Sequence, residues 1–112
     1  MKPGHIHIPV SDVGETVRVL ESVWGLAPTF ANDEMAVIPF GDIAIIFDRS
    51  DVATAATLAF DSDDCDADYQ RALARGAKSI EPPTDRSWGP IRSAYLVGPG
   101  ALTMEIEQVK RV

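Results

Sequence analysis

His5-Ile6-His7-Ile8-Pro9-Val10-Ser11-Asp12 opens the chain with strict alternation and then a helix start. Alternation puts Ile6, Ile8 and Val10 on one face of a strand and His5, His7 and Pro9 on the other. The apolar face is expected to pack on a helix, and the other to look into a space that tolerates imidazole. Asp12 is a helix cap, and Glu15, three residues on, makes the pattern resemble a capping box. Val13, Val17, Leu20 and Trp24 then form one helical stripe, with Trp24 expected in the core. Gly25 ends the helix. Met35–Phe40 and Ile43–Phe47 are apolar strands joined by a turn at Gly41-Asp42, and Pro39 weakens the first or places it at an edge.

The order recurs in the second half. Thr57–Asp61 alternates, with Leu58 and Phe60 sharing a face. Asp64 leads into a helix carrying Tyr69, Ala72, Leu73 and Ala77, which closes at Gly76. Pro82-Pro83 reads as a loop. Ser93–Val97 and Leu102–Glu107 read as a strand pair across the turn Gly98-Pro99-Gly100. A shift of 52 lays Thr57 on His5 and Asp64 on Asp12. Such self-similarity marks a duplicated unit. The expectation is one α+β domain over 1–112 made of two modules, 1–50 and 56–112, each reading strand, helix, then two or three strands.

Composition bounds the function. The 112 residues hold 10 Lys plus Arg and 17 Asp plus Glu, a net charge of −7, which argues against nucleic acid or an anionic membrane as partner. No apolar run approaches the roughly 20 residues that span a bilayer. The single Cys65 excludes an intrachain disulfide and a cysteine-rich metal knuckle, and suits a reducing, cytoplasmic setting. The first residues lack the apolar stretch of a secretion signal.

These features together resemble the vicinal oxygen chelate superfamily, which groups glyoxalase I, bleomycin-resistance proteins, fosfomycin-resistance enzymes and extradiol dioxygenases. The resemblance rests on His5 to Asp12 with Trp24-Gly25-Leu26 and on Asp64 to Ala77. It extends through Pro82-Pro83-Thr84, Trp88-Gly89, Gly98-Pro99-Gly100 and Met104-Glu105-Ile106-Glu107. It implies that the curved sheets of two βαβββ modules enclose a cup, and that chains of this size pair as homodimers. It also implies metal ligands on the first and last strand of each module, which fall on His5 and Glu105. The remaining two positions carry Thr57 and, near Ile45, only apolar residues.

Two ligands fall short of the three that a catalytic divalent site usually takes. The leading expectation is therefore a metal-free binder of a natural product or aromatic metabolite, resembling bleomycin-resistance proteins and implying antibiotic resistance by sequestration. In that reading His5, His7, Thr57, Glu105 and Glu107 are polar contacts. Ile45 and Phe47 form an apolar floor or else face the helix. Trp88 stacks on a flat ligand or folds back as a lid, and Arg92 or Tyr95 touches the ligand. The alternative is an enzyme: a metal-dependent lyase, isomerase or dioxygenase, or a metal-free isomerase or cyclase, with His5 and Glu105 catalytic. Any divalent ion would need His7 or Glu107 as a third donor. Same-face neighbours on a strand stand about 7 Å apart, so a shared ion demands converging side chains.

Overall fold

A computed structural model describes residues 1–52, 55–99 and 102–110. The elements run β1 (Lys2–Val10), α1 (Val13–Trp24), β2 (Phe30–Ala31), β3 (Met35–Phe40), β4 (Ile43–Arg49), β5 (Thr57–Asp61), α2 (Cys65–Ala74), β6 (Ser79–Asp85), β7 (Ile91–Val97) and β8 (Thr103–Val109). This is the βαβββ order twice, the expected α+β class. Two compact units are distinguished, His5–Ala56 and Met1–Gly4 with Thr57–Val112.

In the N-terminal unit the strand order is β2-β3-β4-β1, with β1 and β4 parallel and the rest antiparallel. The register puts Ile6 beside Ile45 and Ile8 beside Phe47. Ile38 and Ala36 stand opposite Ile45 and Phe47 on β3, so all six share a face. Ala36 and Ile38 are fully buried there, and Phe47 nearly so. Pro39 is tolerated because β2 reaches only Val37 and Ala36, which leaves the end of β3 as an edge. Asp12 caps α1 by accepting from the Glu15 N–H at 2.9 Å. The reciprocal half of the box is replaced, since Glu15 accepts both ends of the Arg18 fork instead. Gly25 takes φ 69°, a left-handed turn that glycine adopts at low cost. Its N–H and that of Leu26 return to Glu21 O and Leu20 O. The chain turns there, so Trp24, the last helical residue, is 67% exposed. The helix stripe ends one turn before the position expected to be core.

In the C-terminal unit the order is β5-β8-β7-β6, with Lys2–Gly4 of β1 beside β5. A Cβ at Gly4 would lie 2.5 Å from Asp61 Oδ1, so a larger residue there would push that exposed side chain aside. Cys65 and Tyr69 of α2 pack with Ala94, Leu96 and Ile106, and with Ala72, Leu73 and Ala77 at the margin, as the helical spacing predicts. Asp64 caps α2 by accepting from Ala67 N–H, the counterpart of Asp12.

Leu58 and Phe60 share a face of β5 as expected, and Ala59 on the other face is its most buried residue. One expectation is corrected. Pro82-Pro83 lies inside β6 and not in a loop. The last strand of the order has a free side, and register shifts between Ser79, Glu81 and Thr84 absorb the missing N–H groups. Gly98 N–H donates to Leu102 O, bracketing the expected turn, while Gly100 lies outside the described residues.

Candidate functional site

The second face of each sheet carries the polar groups. In the N-terminal unit the parallel register puts His5 beside Ala44, His7 beside Ile46 and Pro9 beside Asp48. The expected His5/His7 face therefore exists, and Ala44, Ile46, Asp48 and Val37 share it. The open parity of Ile43–Phe47 is resolved the other way for the apolar floor: Ile45 and Phe47 point to the face away from the histidines. Both alternations of that strand are apolar, so only pairing distinguishes them.

The two imidazoles converge. His5 Nε2 and His7 Nε2 are 3.0 Å apart, with the rings edge to face at 4.7 Å between centroids. Side-chain rotation thus closes the 7 Å that strand geometry sets between them. His7 Nδ1 is tied to Asp48 Oδ2 at 2.7 Å. Asp48 had no sequence signal of its own, because its relevance depends on a pairing between residues 41 positions apart. It does continue the Ala44-Ile46 alternation.

In the C-terminal unit Glu105 stands opposite Tyr95 and beside Ala59, and Glu107 opposite Ser93 and beside Asp61. Thr57 lies on the same face, beside Thr103. Glu105 is a buried carboxylate at 5% exposure. Burial and the neighbouring Glu105 charge push the Tyr95 hydroxyl up to about 12, so at neutral pH it holds its proton and serves as a donor.

Arg86 organises this face. Its Nε donates to Ser93 Oγ at 2.7 Å, Nη1 to Glu81 at 2.6 Å and Nη2 to Ser93 O at 3.2 Å. Its guanidinium lies 5.3 Å from the Tyr95 ring centre and 5.7 Å from that of Trp88. Trp88 is 71% exposed, which excludes the folded-back lid and leaves an accessible aromatic surface. Arg92 is on the opposite, helix-packed face. There Asp66 accepts its fork at 2.8 Å twice, which holds that carboxyl below its usual range, and Asp85 accepts at 3.3 Å. Lys110, 2.9 Å away, and then Arg92 hold the Asp85 carboxyl low. It anchors α2 to β7 and does not join Tyr95. Glu107 borders a separate hollow of about 770 Å³ with Asp61, Ser62 and Asp63.

The histidine pair suits a divalent cation on chemical grounds. Two nitrogens at about 2.1 Å from one ion and at right angles are about 3.0 Å apart, the separation seen between the Nε2 atoms. A carboxylate on the far nitrogen of a ligating histidine is the usual supporting partner.

A model of the Glyoxalase/Bleomycin resistance protein/Dioxygenase superfamily matches residues 2–106. No curated protein matches. Among solved structures, an NAD-dependent benzaldehyde dehydrogenase from Legionella pneumophila superposes with TM-score 0.77 at 15% identity, covering 96% of this chain and 100% of that one. A methylmalonyl-CoA epimerase variant from Streptomyces coelicolor in complex with 2-nitronate-propionyl-CoA gives 0.72 at 16%, covering 99% of each. A hypothetical protein from Bacillus halodurans gives 0.71 at 17%, covering 99% and 96%. At these identities the superpositions speak for the fold alone. The family match spans nearly the whole chain, and the chain belongs to the Glyoxalase/Bleomycin resistance protein/Dioxygenase superfamily.

Proposed function

We propose that this protein is a metal-dependent enzyme of the superfamily, acting on a small molecule that offers two adjacent oxygens. His5 and His7 hold a divalent cation, and Glu105, the last-strand carboxylate in the family pattern, is the third donor. One observation carries the reading: the 3.0 Å separation of the His5 and His7 Nε2 atoms. His7 thereby replaces the ligand that Thr57 does not supply.

A bound divalent ion would supply Lewis-acid polarisation of a substrate oxygen. The chain's own groups do the rest. His5 and His7 hold two donors on one strand, and the rotation of their side chains brings the Nε2 atoms to 3.0 Å. Tyr95 keeps its proton at the hydroxyl, and its hydrogen bond to Glu105 steadies that carboxylate. Arg86, stacked near that ring, holds the Trp88 loop in place. A homodimer in a cytoplasmic setting completes the proposal. Exposed Trp24, Phe30 and Phe40 offer apolar area for pairing, and the buried thiol of Cys65 suits a reducing compartment.

The test uses acetohydroxamate, whose two adjacent oxygens chelate. Calorimetry on Ni(II)-loaded protein should give one binding event per chain, absent from the stripped protein and from His7→Ala. Binding of equal strength without the ion would overturn the reading.

A second reading is favoured by the exposed ring of Trp88: sequestration of a flat ligand without bond making, in the manner of bleomycin-resistance proteins. It predicts that a flat ligand binds the stripped protein and that Trp88→Ala abolishes the binding.

A further inference from the structure

His7 Nδ1 faces an atom that can only accept. The Asp48 carboxylate has no hydrogen to give when ionised, so the hydrogen of the 2.7 Å contact sits on Nδ1. A neutral imidazole protonated at Nδ1 has its lone pair at Nε2. That is the nitrogen turned toward His5 Nε2. Asp48 reaches this position from β4, where it pairs with Pro9 and lies diagonal to His7 on the same sheet face.

We propose that Asp48 is a positioning residue that fixes His7 as the Nδ1–H tautomer and aims its Nε2 lone pair at the point it shares with His5. In the metal-free chain the short contact between the rings then has one direction: His5 Nε2–H donates to His7 Nε2. A cation would need the Nε2 lone pair of both rings, so His5 would have to carry its hydrogen on Nδ1 instead, while Asp48 would keep His7 from turning its protonated nitrogen inward. The inference deepens the ligand role given to His7, while its first measurement is independent of any metal.

That measurement is two-bond proton–nitrogen NMR on protein with 15N-labelled histidine, stripped with chelator. The expected wild-type pattern for His7 is protonated Nδ1 and unprotonated Nε2. Asp48→Asn keeps an oxygen acceptor and should keep the pattern. Asp48→Ala, with its fold checked by circular dichroism, should move His7 to the Nε2–H form or to an average of the two. The second measurement is Co(II) titration followed by absorption. Asp48→Ala should weaken affinity roughly ten- to hundredfold, and Asp48→Asn less. A folded Asp48→Ala variant with the wild-type tautomer pattern overturns the inference. If wild-type protein takes up no Co(II), the metal reading fails, and the NMR arm still decides the role of Asp48.

Discussion

Replacing Arg86 by alanine tests the organisation of the Tyr95 face most sharply. The Arg86 side chain is 10% exposed and donates three hydrogen bonds, two of them to Ser93, which is fully buried. Alanine would leave the Ser93 hydroxyl and carbonyl short of partners inside the protein, at about 1–3 kcal/mol. The Glu81 pair adds less, because Glu81 is 41% exposed and solvent screens it to about 0–1 kcal/mol. The lost contacts with the Tyr95 and Trp88 rings add about 0.5–1 kcal/mol. The sum is roughly 1.5–5 kcal/mol, a large part of the stability of a domain this size. Urea unfolding followed by far-ultraviolet circular dichroism measures it as a lower midpoint at unchanged slope. Arg86→Lys keeps the charge near Glu81 but loses the fork, so it should recover only a minority of the loss. A change below about 0.5 kcal/mol for Arg86→Ala would refute the view that this guanidinium braces the sheet.

Other outcomes follow from the same geometry. Asp12→Ala and Asp64→Ala, at equivalent caps, should each cost about 1 kcal/mol in urea unfolding, with Asn restoring most of it. Burial and the nearby Asp66 charge push the Cys65 thiol up to about 11, against an ordinary value of 9.0. Native protein at pH 8 should therefore resist a thiol reagent until unfolded. Cys65 and Tyr95 both ionise later in the folded chain than in the unfolded one. The stability they contribute is present below pH 9 and is lost as pH rises toward 12. Alkaline midpoints should shift accordingly, and Tyr95→Phe should remove a phenolate absorbance step near 12. Light scattering should give the mass of two chains, and Trp24→Glu should reduce it if α1's exposed end is part of the contact.

How far the sequence can be read depends on the range of the interaction. Caps, the Gly25 and Gly41 turns and the module repeat are set by residues a few positions apart, and they were legible. The parity of Ile43–Phe47 was not, because Ala44-Ile46 and Ile45-Phe47 are both apolar and only the pairing with β1 separates them. Asp48 was missed for the same reason. The helical stripe placed Trp24 inside because periodicity carries no information about where the sheet beneath a helix ends. Pro82-Pro83 looked like a breaker because a local rule cannot know that β6 has an unpaired side. Of the candidate site, the histidine face could be read from alternation, whereas its contact with a carboxylate 41 residues away could not.

The most direct test is metal content per chain. Stripped protein is exposed in turn to Mn, Fe, Co, Ni and Zn, passed over a desalting column and analysed by plasma mass spectrometry, beside folded His5→Ala, His7→Ala and Glu105→Ala. The account predicts about one equivalent of at least one metal in the wild type, lost in each variant. Less than about a tenth of an equivalent for every metal in folded wild-type protein, or full retention in His7→Ala, would contradict it.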